Sequence, residues 1–368
     1  MSMSETVRRD LPDLLRFADG RAVRTARDWA ARRTEVLHTV EDNLFGVLPQ
    51  KAWTCGFARE REETVYYQGG KAILQVVRAN VQMEGRNVGW SFRCSIPRRD
   101  RPVPAFLMIS FGLLLPVDTI PTEEICDNGF ALIQFDYGDV TKDDGDFTDG
   151  LAGAFYPDGI RAHETDGGKI ALWAWAVSRV ADYVAELPEI DADRLLVVGH
   201  SRLGKTALWA GAQDTRFAAA VAVNSGCGGA SIARGNTGEK VADITRRFPY
   251  WFAPAYAKYA DRETEMPFDQ HELLALMAPR KLYVASAAGD SWADPEGELL
   301  GCRAASPVYG ILGMDGLNLT EPVTDDFSTQ GGQIGYHRRP GSHFFCRSDW
   351  RRIMAWYAGL PVEGPAQR

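Results

Sequence analysis

The chain has no block of Lys or Arg able to track a phosphate backbone, and its 41 basic against 49 acidic residues leave a net charge of −8. Nucleic acid is thereby set aside as a partner. No stretch approaches the roughly 20 uninterrupted apolar residues that a bilayer-spanning helix needs, so no membrane partner is expected. The six cysteines, Cys55, Cys94, Cys126, Cys227, Cys302 and Cys346, form neither a CxxC pair nor a Cys/His cluster. That argues against a zinc or other metal site. Buried free thiols are the expectation and a disulfide the alternative. Internal repeats and low-complexity tracts are also missing. The opening Met1–Asp10 carries no apolar h-region and no small-residue cleavage site, which makes a cytoplasmic protein the expectation unless a leader has been removed.

What is there is a chain of 368 residues, 45% hydrophobic and 11% aromatic, enough to bury a large core. Residues 11–361 read as one domain, between a flexible N-terminus (1–10) and a C-terminal tail (362–368). Pro104–Ser110 and Gly129–Asp136 are nearly continuous apolar runs, as strands buried on both faces require. Apolar positions from Ile170 to Leu187 recur at helical spacing, predicting a helix that lays one face on a sheet. Pro188–Arg194 reads as a polar break, followed by a strand at Leu195–Val198 and a helix at Arg202–Gln213. Phe217–Val223, Lys281–Ser286 and Gln333–His337 read as further strands. Alternating strands and helices predict an α/β fold, a mostly parallel sheet with helices on both faces. Residues 36–100 suggest an additional antiparallel edge. The long connection at 226–280, with its Phe248-Pro-Tyr-Trp-Phe252 cluster, suggests an insertion that forms a lid or pocket wall.

The chemistry points to Gly199-His-Ser-Arg-Leu-Gly204, at a strand-to-helix junction. A sharp turn there exposes the serine hydroxyl above a helix N-terminus, whose orphan N–H groups can hold an oxyanion. A serine that merely caps the helix is the plain alternative. Ser201 as nucleophile needs a base and an acid, and the α/β-hydrolase order is Ser, acid, His. Asp290 follows the Lys281–Ser286 strand and His343 follows the Gln333–His337 strand, both in loops at strand C-terminal ends, where open α/β sheets build their sites. Asp294, directly before Pro295, competes with Asp290 but makes the better helix cap. His337 and His200 compete with His343; the first lies within the strand and the second is held away by the elbow backbone.

From Asp136 to Trp350 the motifs resemble the glucuronoyl esterases of carbohydrate esterase family 15, with the α/β-hydrolase three-layer sandwich, and their bacterial relatives often labelled acetylxylan esterases. Gly199-His-Ser-Arg-Leu-Gly-Lys205 is similar to that family's elbow. Asn224-Ser-Gly-Cys-Gly-Gly229, Pro267-Phe-Asp-Gln-His271, Trp292-Ala-Asp-Pro-Glu-Gly-Glu298 and Ala305-Ser-Pro-Val-Tyr309 look like its bacterial members. The resemblance implies Ser201 as nucleophile, His343 as base and Arg202 as an oxyanion donor through its side chain and N–H. It also implies that Lys205, Glu239 and Trp292 line the sugar site. Two departures stand out: Asn224 occupies the place where many relatives keep the catalytic Glu, and Phe111-Gly-Leu-Leu-Leu115 is unlike the family's loop.

The expected function is therefore a cofactor-free serine carboxylesterase acting through an acyl-enzyme on a small-molecule or oligosaccharide ester of glucuronoyl or related uronate type. An acetyl esterase on a soluble sugar or small ester is the alternative within enzymes. A non-catalytic carbohydrate-binding protein is the alternative outside them, suggested by the missing Glu at position 224.

Overall fold

The structure is a computed structural model and describes residues 9–64, 70–112, 119–319, 322–329 and 331–360. The expected tail at 362–368, the first eight residues and most of the Phe111–Leu115 loop lie outside the described residues. One 10-stranded sheet organises the chain, in the order β1-β2-β3-β5-β4-β6-β7-β8-β10-β9. Its strands are β1 Trp53–Thr64, β2 Ala72–Met83, β3 Arg86–Pro97, β4 Val103–Ser110, β5 Ala131–Asp136, β6 Ile190–His200, β7 Phe217–Val223, β8 Lys281–Ala287, β9 Phe327–Ser328 and β10 Ile334–Arg339. Strands β5, β4, β6, β7, β8 and β10 run parallel. Their apolar runs are continuous because both faces are covered, and every residue of β4 is buried.

Side chains alternate between the two faces. Leu107 and Val197 join the larger apolar cluster, under helices α2 Lys169–Val184 and α3 Arg202–Gln213, whereas Phe106, Met108, Leu196 and Val198 join a second cluster with Trp350 and Ile353 of helix α5 Arg347–Ala358. Here α1 is Ala26–Val40 and α4 is Pro295–Ala305. Helices on both faces of a mostly parallel sheet make the three layers expected from the sequence. All six cysteines are free thiols, four of them buried. No helix among the described residues is long and apolar enough to cross a membrane.

Three local expectations are corrected. The break expected at Pro188–Arg194 is confined to the turn at Pro188–Glu189: Ile190 pairs with Val103 and Leu195 with Ala105, so Asp191–Arg194 bulges outward within β6 and its polarity faces solvent. Helix α2 buries more than one face, because Lys169 to Ala174 are all buried. Its first residues are covered by the 226–280 connection, whose Tyr250 and Trp251 carbonyls accept from Lys169 and Ile170 N–H at 2.9 and 3.2 Å. Within 36–100, β1–β3 do form the antiparallel extension, but residues 36–45 finish α1 and a π-turn instead.

Candidate active site

Four loops at the C-terminal ends of parallel strands meet over the sheet. Ser201 follows β6 with φ 58° and ψ −126°, a conformation that L residues avoid and that elbows stabilise through the surrounding fold. The ladder continues into the turn: Ser201 N–H donates to the Val223 carbonyl at 2.8 Å, and Asn224 N–H to that of Ala285 at 2.7 Å. Gly199 is obligatory, since a Cβ there would lie 2.0 Å from the Leu203 carbonyl oxygen. With Leu203 at the usual second glycine position, Gly204 supplies the close packing: a Cβ there would lie 3.0 Å from the Ser225 side chain.

Asp290 and His343 come together. The His343 Nδ1 and the Asp290 carboxylate are 2.6 Å apart, with Asp290 buried and the His343 side chain 39% exposed. Asn224 donates from its side-chain amide to the same Asp290 oxygen at 2.8 Å. Burial pushes the Asp290 carboxyl up, but the hydrogen bond and charge of His343, with help from Asn224, hold it below the usual carboxylate range. Asp294 caps α4, accepting from Gly297 N–H at 3.1 Å. His337 is buried within β10, bonded to Tyr283 and Asp349 at 2.8 Å each. His200 is buried with its ring 4.7 Å from that of His343.

Ser201, Asp290, His343 and Asn224 share a cavity of about 220 Å³ with Arg202, Lys205, Glu239, Arg247, Phe248, Trp251 and Trp292. A larger depression of about 550 Å³ at the opposite ends of the strands, near Arg216, Arg280 and Lys281, holds no histidine, serine or cysteine. Chemistry rather than volume selects the smaller one. Arg202 lies on the cavity wall with its guanidinium 4.6 Å from the Trp251 ring and paired with Asp143. Asp143 also accepts from Trp251 Nε1 at 2.6 Å and Tyr137 OH at 3.1 Å. The Arg202 Nε is buried with no acceptor among the described residues.

On the other side, Lys205 is buried and its ammonium donates to the Ser225 carbonyl. Burial pushes that ammonium down and the charge of Glu239 opposes it; burial pushes Glu239 up, offset by Lys205 and Arg247. A surface-lysine reading of Lys205 is thus excluded. Trp292 is 47% exposed, too open for a core aromatic, with Arg247 over its ring at 5.6 Å.

The sequence family of fungal glucuronyl esterases matches residues 79–313. The chain belongs to the glucuronyl esterase family. It is 33% identical over 381 residues to carbohydrate esterase MZ0003, from an unknown prokaryotic organism, covering 92% of this chain and 87% of that protein. The glucuronoyl esterase structure from Solibacter usitatus is 33% identical, with a TM-score of 0.85 over 95% of this chain and 97% of that one. A 4-O-methyl-glucuronoyl methylesterase of Podospora anserina is 32% identical over 78% of this chain, which spans 57% of that protein. Members of the family are serine-type esterases of the α/β-hydrolase fold, and this chain is an enzyme of that kind.

Ser201, Asp290, His343, Arg202, Lys205, Glu239 and Trp292, the residues assigned to the site from the sequence, all reach this one cavity of the glucuronyl esterase fold. The sequence reading missed Asp143, which lies in the acidic stretch Lys142–Asp146 and there looks like a solvated loop charge. It missed Arg247 too. It noted Asn224 only as a lost carboxylate, although its amide supports a different one.

Proposed function

We propose that the protein hydrolyses a glucuronoyl ester through an acyl-enzyme on Ser201. The observation that carries this reading is the Asp290–His343 hydrogen bond in the cavity that holds the strained Ser201. With Nδ1 engaged by Asp290, His343 has Nε2 for the serine proton. Ser201 Oγ attacks the ester carbonyl as His343 takes that proton. The tetrahedral oxyanion is held by the Arg202 N–H in the first turn of α3 and by the Arg202 side chain on the cavity wall. Collapse expels the alcohol, which takes the proton from His343; water then enters with His343 again as base, releasing the uronic acid and restoring Ser201. Lys205 and Glu239 offer a donor and an acceptor for sugar hydroxyls, and exposed Trp292 offers a flat face to the ring.

A glucuronoyl ester is favoured over an acetylated sugar by the printed names of the relatives and by a cavity with polar and charged walls, which suit the hydroxyl-bearing ring of a glucuronoyl group better than the methyl of an acetyl group. The non-catalytic alternative loses its ground, since Asp290 supplies the carboxylate that position 224 lacks. A panel of methyl glucuronate esters and acetylated xylose, assayed with wild type and Ser201→Ala, tests the reading. Preferred turnover of the methyl glucuronate, abolished in the variant, is expected. Preferred deacetylation would replace it with the acetyl esterase.

A further inference from the structure

We propose that Arg339 is a positioning residue for the reaction, holding the loop that presents His343. The inference rests on His343 being the base. His343 has little of its own to fix it: its side chain is 39% exposed and its hydrogen bond in the site is the one to Asp290. Its place must therefore come from the backbone of 340–346, which forms no helix or strand beyond a single bridge at Phe345, whose carbonyl accepts from Thr119 N–H at 2.7 Å. Arg339, the last residue of β10 and only 6% exposed, turns its guanidinium back under that loop. It donates to the Pro340 carbonyl at 3.0 Å, to the Ser342 carbonyl at 3.4 Å and to the Phe344 carbonyl. Ser342 and Phe344 flank His343 directly, and no backbone N–H among the described residues reaches either carbonyl.

The far end of the same guanidinium is anchored. Its Nε donates to Asp349 at 2.7 Å, and Asp349 also accepts from Cys346 N–H at 2.8 Å, so one carboxylate closes the loop at both ends. His337 and Tyr283 complete a buried chain behind it, each hydrogen bond at 2.8 Å. Burial alone would raise the Asp349 carboxyl; the hydrogen bond and charge of His337 and the charge of Arg339 outweigh it and hold it below the usual carboxylate range. The acid loop is docked on the base loop as well, through Gly289 N–H to the Gly341 carbonyl at 2.8 Å. A planar fork with five donors can hold carbonyls on both sides of one residue while keeping a carboxylate; an ammonium cannot.

The test compares wild type with Arg339→Ala, Arg339→Lys, His343→Ala and Arg280→Ala on an ester substrate, with circular dichroism and melting temperature as folding controls. Arg280 is the control because it also donates to three carbonyls, those of Asp214, Phe217 and Leu276, at the opposite ends of the strands. Misplacing a catalytic group by about 1 Å costs on the order of 100-fold, so loosening the loop that carries the base should cost roughly 10–100-fold. Arg339→Ala should lower kcat by about that factor with KM within about threefold, Arg339→Lys should lie between it and wild type, and labelling of Ser201 by a fluorophosphonate should slow in proportion. Arg280→Ala should lose melting temperature while keeping kcat. If Arg339→Ala does not fold, Arg339→Lys decides, and wild-type kcat in that variant overturns the proposal. A folded Arg339→Ala with kcat near wild type, or with a loss carried by KM, also overturns it, provided His343→Ala is inactive. Activity surviving in His343→Ala would instead refute the assignment of the base.

Discussion

Replacing Asp290 by Asn removes the charge that faces the imidazolium formed when Ser201 is deprotonated, and leaves the shape of the site nearly unchanged. The contact is close, 2.6 Å between Nδ1 and the carboxylate oxygen, and the Asp290 side chain is only 4% exposed while that of His343 is 39% exposed. Opposite charges about 4 Å apart attract by about 4 kcal/mol at an effective dielectric of 20 and about 1 kcal/mol in water. With one partner buried and the other half in solvent, about 2–4 kcal/mol of transition-state stabilisation is at stake, roughly 30- to 1000-fold in kcat. Asn224→Ala removes one neutral donor to a charged acceptor, worth about 1.5–3 kcal/mol at most, and leaves the carboxylate in place. Its loss in kcat should be the smaller. The two effects should not add, because Asn224 and His343 share one Asp290 oxygen. Steady-state kinetics of the single and double variants on a methyl glucuronate ester is the assay. A fall of less than tenfold in Asp290→Asn, or a larger fall in Asn224→Ala, would refute the assignment of the acid.

Gly199→Ala should prevent the elbow from forming, since the added Cβ would meet backbone at 2.0 Å; overpacking of this kind costs about 3 kcal/mol or more, read as a lower urea midpoint or loss of soluble protein. Asp143→Asn should reduce kcat/KM about tenfold by freeing the Arg202 guanidinium: the one remaining oxygen can keep Trp251 Nε1, while the amide nitrogen replaces the oxygen that Arg202 and Tyr137 share. Burial pushes Glu298, which accepts from Ser286, Ser225 and Gly226, up to about 7 from 4.5. Because the folded state holds this proton to higher pH than the unfolded chain, the stability involved is present below about pH 4.5 and lost as pH rises through 7, about 3 kcal/mol in all. Glu298→Gln should flatten that fall in urea denaturation between pH 4.5 and 8, leaving the share of Glu272, which burial also raises to about 7. An unchanged slope would contradict it.

The parallel strands were legible because residues buried on both faces leave no polar positions to obscure the pattern, as in β4 and β7. The elbow was legible for a different reason: Gly199 and Gly204 are demanded by contacts within a few residues or across one strand. Asp290 and His343 could be found because the topology fixes their order and the ends of their strands. Groups that act on the site across long separations left no such mark. Asp143 reaches Arg202 across 59 positions, and Arg339 reads as the end of a strand, although its donors turn back on the loop behind it. The Asp191–Arg194 bulge was mistaken for a break because its polarity reports solvent, whereas pairing resumes on either side.

The central claim, that Ser201 carries the acyl group, is tested most directly by peptide-mapped mass spectrometry after treatment with a fluorophosphonate. The account predicts one adduct, on Ser201, formed much more slowly when His343 is replaced by Ala. An adduct on another residue, or ester turnover that persists in Ser201→Ala, would contradict it.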